Sequence, residues 1–419
     1  MHRPELLVVA GLPAQGVEQV LVALRALGRE PTATAVLHHD LRDVSRGVVH
    51  RRLRRGTLDE TTPLTLAHGC VSCTLREDVI PSLRALAADG PERIVLHLDP
   101  ALEPEQVCWA LAHVPVAGSV VTDLVDLRGV VAVVDTGRWL DDATGDAGVA
   151  EAGHAALPGD ERTLAQVAVG QVEFADLVVR TGTADAWQLA RTDAVLARLA
   201  PLASRLRHPG IDDRVLLRDL PAGARRGRPD ADVHGPLLRG RPPLDPDCGV
   251  GLLLFSARRP FHPERLHDAM DVLLDGVVRT RGRIWLATRP EAVIWLESAG
   301  GGLQLGQAGE WLAVAGDGEW EAANAERRAL ASLRWHPRFG DRAQDLVVLT
   351  HRADPDEIDA ALRSALLTDA ELAAGEEGWR ALPDPFGWWH ADPCDDPAGA
   401  PASRAPATGT TVTWTEKEI

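Results

Sequence analysis

The sequence predicts an α/β protein: a doubly wound parallel sheet with a second, smaller α+β C-terminal domain. Three observations carry that. Glu5 to Ala10 reads ELLVVA, an apolar run of strand length. Gly11 follows, and then Val17, Val20, Leu21, Leu24 and Leu27 recur at helical spacing until Gly28 stops them. Strand and helix patterns then alternate as far as Arg180, which is the signature of a parallel sheet with helices packed on its faces. From Pro221 to Asp247, Pro, Gly and Arg dominate with little apolar periodicity, which marks a linker and a domain boundary.

In order, the strands fall at Glu5–Ala10, Thr34–His38, Arg93–Leu98, Val130–Val134 and Leu177–Arg180. Helices are expected at about 81–88 and 104–113, and across Leu164 to Val172. Residues 141–160, rich in Gly, Ala and Asp, read as a surface loop. Beyond the linker, Gly251–Ser256, Arg283–Ala287, Ala292–Glu297 and Leu346–Thr350 read as strands. His262–Leu274 and Pro355–Leu367 read as helices. The division is thus 1–220, linker 221–247, second domain 248–390, and a Pro/Ala/Thr/Asp-rich tail from Ala391 expected to be disordered.

A net charge of -17 argues against a general nucleic-acid binder, because phosphate is repelled overall. The five cysteines (Cys70, Cys73, Cys108, Cys248, Cys394) have no regular spacing and suit a reducing compartment better than a disulfide framework. With no basic leader before a long apolar run, and no stretch of transmembrane length, a cytoplasmic protein is expected.

The chemistry concentrates at His68-Gly69-Cys70-Val71-Ser72-Cys73-Thr74-Leu75-Arg76-Glu77-Asp78. Thr74 and Glu77 have capping-box spacing, so a helix should open after Cys73, and its positive end favours thiolate over thiol. The turn reads either as a metal or redox site or as two small apolar residues packed under a helix. His38, His39 and Asp40 end one strand, and His97 and Asp99 end another. In a doubly wound sheet such ends gather ligands, so Cys70, Cys73, His68, His97, Asp40 and Asp99 are the candidate zinc ligands. The alternative is scattered surface histidines. His50-Arg51-Arg52-Leu53-Arg54-Arg55 is a basic run in an acidic chain. It reads as a solvated face or as an arm in which Arg51, Arg52, Arg54 and Arg55 meet RNA phosphate or an acidic partner.

The run GCVSCTLREDV resembles the GCxCC segment of the CobW-type P-loop GTPases, with Ser72 at the middle cysteine of that pattern. The runs at 258–266 (RRPFHPERL), 276–289 (GVVRTRGRIWLATR), 339–349 (FGDRAQDLVVL) and 366–372 (LLTDAEL) resemble the CobW C-terminal domain. The resemblance covers most of residues 5–390. It implies a P-loop NTPase-like first domain and a family that includes metallochaperones. In the second domain, His262, Arg279 and Arg281 are functional candidates or merely shape-setting residues.

The resemblance also exposes losses. A working phosphate loop reads GxxxxGK[ST], whereas this chain has Gly11-Leu12-Pro13-Ala14-Gln15-Gly16-Val17-Glu18, with Val17 for the phosphate-binding lysine and Glu18 for the magnesium-binding hydroxyl. His97-Leu98-Asp99-Pro100-Ala101-Leu102-Glu103-Pro104 stands where the family has E-x-[ST]-G-x-x-x-P. Thr181-Gly182-Thr183-Ala184 replaces the guanine-reading NKxD. Only Gly11, Gly16 and Asp135 keep a divergent GTP-binding zinc metallochaperone in view. Neither GTP nor magnesium is therefore expected as a cofactor, and no catalytic residue is assigned; zinc is the expected metal. GCVSCTLRED followed by HLDPALEPE resembles an actinobacterial branch that includes the mycobacterial protein recruiting a hibernation factor to ribosomes under zinc starvation. That implies a binding adaptor with a ribosome or a hibernation factor as partner.

Overall fold

The structure, a computed structural model, describes residues 3–12, 14–66, 70–154, 159–209, 220, 224–228, 234–387 and 411–415. The chain divides into two compact units, residues 1–143 with 147–229, and residues 144–146 with 230–419.

The first unit is built on eight strands: β1 (Glu5–Ala10), β2 (Thr34–Asp40), β3 (Val48–Arg55), β4 (Leu58–Thr65), β5 (Arg93–His97), β6 (Asp126–Asp135), β7 (Leu177–Thr181) and β8 (Ser204–Arg207). Their order is β4-β3-β2-β5-β1-β6-β7-β8. From β2 to β8 every pairing is parallel, while β3 and β4 join beyond β2 as an antiparallel hairpin. All five strands read from apolar runs are present, and β6 begins earlier, at Asp126. The hairpin was not foreseen.

Alternate residues of β1 show why the sheet is covered on both sides. Leu6, Val8 and Ala10 pack with Ile80 and Leu83 of helix α3 (Ile80–Asp89) and with Val107 and Leu111 of helix α4 (Pro104–His113), on one face. Leu7 and Val9 pack with Val17, Val20, Leu21 and Leu24 of helix α1 (Ala14–Ala26), on the other. Each such side chain contributes roughly 1.5–3 kcal/mol by leaving water, which commits the near-continuous apolar runs to central strands. The carboxyl ends of β1, β2, β5, β6 and β7 then share one edge, which carries the residues of interest.

The second unit is an antiparallel sheet of β9 (Val250–Ala257), β10 (Val277–Ile284), β11 (Ala292–Ala299), β12 (Gly302–Glu310), β13 (Gln344–His351) and β14 (Thr411–Thr415), ordered β14-β12-β11-β10-β13-β9. Phe255, Leu346, Ile294 and Leu303 form one face of its core, covered by Leu266 of the helix Pro263–Asp268 and by Ile358 and Leu362 of the helix Pro355–Ser364. The strand expected at Arg283–Ala287 lies instead at Val277–Ile284. Arg279, Arg281 and Arg283 alternate along it and conceal its apolar face. Gly282 is required there: its φ is +154°, and a Cβ would lie 2.0 Å from the Asp345 carbonyl oxygen of β13.

The tail expected to be disordered from Ala391 needs correction at five residues. Thr411–Thr415 reads TVTWT, alternating β-branched and aromatic residues, and pairs with β12 so that Trp414 stands opposite Leu303. The rest of the tail lies outside the described residues. Among the described residues no helix is long and apolar enough to cross a membrane.

Candidate functional site

The phosphate-loop position comes first, because it decides the chemistry. Helix α1 is already formed at Ala14, so Gly16, Val17 and Glu18 lie within it rather than at the rim of an open loop. Val17 is 2% exposed and belongs to the core beside Val9 and Val133. A Cβ on Gly11 would lie 2.9 Å from both the Val17 Cγ2 and the Val133 carbonyl oxygen, and one on Gly16 would lie 2.6 Å from the Thr181 Oγ1. The start of the helix is therefore packed directly against β6 and β7. Glu18 turns away from the core, and its carboxylate accepts from the guanidinium of Arg54 on β3. The substitutions do not leave an empty loop. They use it: one as core, one as half of an ion pair.

Asp135, at the end of β6, is similarly occupied. Its Oδ1 accepts from the Gly137 N–H at 2.9 Å, and a Cβ on Gly182, whose φ is +68°, would lie 2.3 Å from that oxygen. The Thr181-Gly182 turn closes against the aspartate.

At the ends of β2 and β5, His38 and His97 stack with ring centroids 4.2 Å apart, and the His38 Nδ1–H donates to the His97 carbonyl at 3.0 Å. Burial holds His97 well below the usual imidazole value, reinforced by His38, Arg54 and Arg52. Burial lowers His38 as well. The two rings are neutral at neutral pH, the protonation state a metal requires. Their carboxylate neighbours are committed elsewhere. Asp40 binds the Arg42 guanidinium through both oxygens, at 2.6 to 3.0 Å, and accepts its N–H at 3.1 Å. Asp99 accepts the Leu41 and Ala101 N–H groups at 3.0 Å each and so holds two strand ends together.

The cysteine turn departs from expectation in its capping. Cys70 itself is the N-cap of helix α2 (Val71–Thr74), its sulfur accepting from the Cys73 N–H at 3.3 Å, and Thr74 is already inside the helix. The helix is thus capped four residues earlier than the Thr74–Glu77 spacing suggests, at Cys70, because the sulfur does the work assigned to the threonine. The Cys73 thiol is pushed up to about 11 by its hydrogen bond with Cys70 and by burial, so it is not the thiolate the helix-end argument anticipates. A π-helical turn, Leu75–Val79, carries Asp78 toward the sheet, and α3 continues it. There the Asp78 Oδ1 meets the His39 Nε2 at 2.7 Å and Oδ2 accepts from the Arg51 Nη1 at 2.9 Å. Burial raises the Asp78 carboxyl, but His39, Arg51 and Ser82 outweigh it and hold it below the usual carboxylate range.

The candidate zinc ligands are not brought together as one set among the described residues. Among the described residues no three or more His, Cys, Asp or Glu side chains come together as a metal-holding group. Asp40 and Asp99 are spent on Arg42 and on backbone N–H groups, and His97 is stacked on His38. His68 lies outside the described residues. What stands is the Cys70–Cys73 pair on one turn.

The basic run is a strand, not an arm. Arg51 pairs with Asp78 at 2.9 Å, Arg52 with Asp59 at 2.7 Å, Arg54 with Glu18, and Arg55 with Asp89 at 3.2 Å. In the second unit, Arg279 pairs with Glu297 at 2.9 Å, and the Arg281 guanidinium lies 5.4 Å from the Trp295 ring centroid. His262 is the buried N-cap residue before Pro263, with no capping bond from its side chain. Asp78, which organises His39 and Arg51, was missed as a site residue. Its signal was an acidic residue five positions after Cys73.

A parallel sheet with a helix where the phosphate loop belongs defines a P-loop NTPase architecture whose loop has been refilled. Residues 14–207 match the nucleotide-binding domain described as CobW/HypB/UreG, and residues 250–366 match the cobalamin synthesis protein cobW C-terminal domain. The chain is 48% identical over 380 residues to "Zinc chaperone Rv0106" of Mycobacterium tuberculosis, covering 87% of this chain and 89% of that protein. It is 27% identical over 334 residues to "Zinc-regulated GTPase metalloprotein activator 1" of Dictyostelium discoideum, covering 77% and 69%. This chain belongs to the CobW family. The Zn(II)-bound YjiA GTPase of E. coli is similar at 13% identity and a TM-score of 0.35, covering 88% of this chain and 100% of that one, and adds nothing to the fold read from the sheet.

Proposed function

We propose that this CobW-family protein handles zinc as cargo through its cysteine turn and does so without a GTP hydrolysis cycle. The observation that carries the second half is Val17: the position of the phosphate-binding cation is a core residue, and the neighbouring magnesium position is an ion pair with Arg54. The first half is supported by two thiols on one turn and by a 48% identical relative named as a zinc chaperone.

The donor set fits a transfer role better than storage. Zinc takes four ligands, and a CxxC turn supplies two, leaving positions for water or for a receiving protein's side chains. Binding must displace the protons of both thiols, so zinc uptake releases protons and weakens in acid. The partner implied by the resemblance, a ribosome or a ribosome-bound hibernation factor, extends this reading to an adaptor acting under zinc starvation. Co-sedimentation with ribosomes in zinc-depleted medium tests that extension.

The core reading is tested by zinc titration against a chromophoric chelator for wild type, Cys70→Ser, Cys73→Ser and His97→Ala, with and without GTP and Mg²⁺. We expect retention in the wild type, loss in either cysteine variant, near-wild-type retention in His97→Ala, and no effect of nucleotide. Equal retention in both cysteine variants would make the turn structural. A nucleotide-dependent change in zinc affinity would restore a GTPase metallochaperone.

A further inference from the structure

One edge of the second unit's sheet is closed by a strand that comes from far along the chain. β9 to β13 and the helix Pro355–Ser364 all fall within residues 250–366, the stretch matched by the cobW C-terminal domain, and β14 lies outside it. The domain's own sheet thus has five strands, and β14 is an addition to its edge. The chain is pinned before it leaves for that edge. Phe386 is buried in the core, Asp384 accepts from the Thr288 hydroxyl at 2.6 Å and pairs with Arg289 at 3.1 Å, and the Gly387 carbonyl accepts from Arg289. Residues 388–410 separate this anchor from Thr411, so release of β14 leaves the anchor in place.

β14 covers only part of the edge it meets. It runs antiparallel to β12 over five residues, from Gly302 opposite Thr415 to Gly306 opposite Thr411. β12 continues to Glu310, and among the described residues no strand pairs with Gln307, Ala308 or Gly309 on the side away from β11. Gln307 and Gly309 are exposed.

The covered stretch, Gly302-Leu303-Gln304-Leu305-Gly306, has no charge and no proline, two devices that keep an open edge from pairing with other chains. The edge strand β4 of the first unit has both, in Asp59, Glu60 and Pro63. An unguarded edge is a pairing surface for any extended segment of the right pattern. A short strand held by main-chain bonds along one side opens locally at lower free energy than the sheet it leaves.

We infer that the β12 edge is a docking site for an extended, uncharged segment of a partner protein, and that β14 is a tethered occupant which this segment displaces. The register states the chemistry required. Residues 411–415 read Thr-Val-Thr-Trp-Thr, with Val412 opposite Leu305 and Trp414 opposite Leu303, both core residues. A partner segment that repeats this alternation and runs past Gly306 makes every pairing that β14 makes and adds those along Gln307 and Ala308. A second copy of this chain offers the same five residues and gains nothing. A tether of this length presents β14 to its own edge at an effective concentration on the order of 1 mM, so exchange between copies loses at micromolar protein. The inference depends neither on the zinc reading nor on the phosphate loop.

The test compares the full chain with the double variant Val412→Pro, Thr413→Pro. Neighbouring residues of an antiparallel strand point their N–H groups to opposite edges, so one of the two prolines removes a bond to β12 in either case. Melting temperatures confirm that the variant folds, and a chain cut before Thr411 serves as a second form with the edge uncovered. The probe is a labelled synthetic peptide, Thr-Val-Thr-Val-Thr-Val-Thr-Trp-Thr-Glu-Lys, read by fluorescence anisotropy. Its controls are the shorter Thr-Val-Thr-Trp-Thr-Glu-Lys and the long peptide with proline at the two positions matching 412 and 413. The expected result is saturable binding of the long peptide to the proline variant and to the cut chain, and binding about tenfold or more weaker to wild type. The short peptide should bind the uncovered edge less tightly than the long one, and the proline peptide not at all. Absence of saturable binding to either uncovered form overturns the inference, as does equal affinity for wild type and the uncovered forms, or for the long and proline peptides. Dimerisation of wild type at micromolar concentration, lost in the proline variant, would give the edge to a second copy of this chain and overturn the assignment to a partner.

Discussion

Removing the Glu18 carboxylate isolates the ion pair that fills the old magnesium position. The Arg54 side chain is 6% exposed and Glu18 is 49% exposed, so the two partners are unequal. Glu18→Ala leaves a guanidinium buried without its carboxylate. Breaking a fully buried pair in this way costs about 3–5 kcal/mol, and the half-exposed position of Glu18 discounts that to about 2 kcal/mol. Arg54→Met instead leaves a glutamate that water can solvate, and a methionine of similar volume in the core, at a cost of about 1 kcal/mol or less. The double variant should sit close to Arg54→Met, giving a coupling of about 1–2 kcal/mol. Equilibrium urea unfolding of the four proteins measures this, read as midpoint shifts of the transition that includes the first unit. If Glu18→Ala costs no more than Arg54→Met, or the two effects simply add, Glu18 is a surface residue and the loop has not been refilled as described.

Other outcomes follow from single contacts. Gly282→Ala should unfold or severely destabilise the second unit, by about 3 kcal/mol or more, because its Cβ would lie 2.0 Å from a backbone oxygen of β13; thermal unfolding checks it. Glu371 is held at about 2 by Arg265, below its usual value of 4.5, so the pair's stabilisation is complete above pH 4.5 and lost as pH falls through 2. Arg265→Met should therefore lower the melting temperature at neutral pH and converge on wild type near pH 2; a gap independent of pH would refute this. Asp78→Asn leaves Arg51 without its carboxylate and weakens the His39 contact, so hydrogen exchange should quicken in residues 71–89, and an unchanged pattern would count against the network.

How much of this was legible depended on whether a contact was local. β1, β2, β5, β6 and β7 could be read because a strand buried on both faces has to be a continuous apolar run. β3 could not, since VVHRRLRR looks like a solvated charge run until each arginine's partner is known, and Glu18 lies 36 residues from Arg54. β10 was displaced for the same reason: Arg279, Arg281 and Arg283 alternate along it. The cysteine turn was visible, but its capping was not, because a sulfur accepting a backbone N–H has no spacing signature distinct from the Thr74–Glu77 box. The substitutions in the phosphate loop were legible in the sequence. What the residues do instead was not, because Val17 as core and Glu18 as ion pair are facts of packing.

The central claim is that the phosphate loop of this CobW-family chain has been rebuilt as core and ion pair. Calorimetric titration of the full chain with GTP and Mg²⁺ tests it most directly. Wild type and the double reversion Val17→Lys with Glu18→Ser are both measured, the reversion at a temperature where it remains folded. The account predicts no saturable heat for wild type, and none for the reversion either, since two side chains cannot reopen a loop that has closed onto Thr181 and Val133. Saturable micromolar binding by wild type would contradict the account outright.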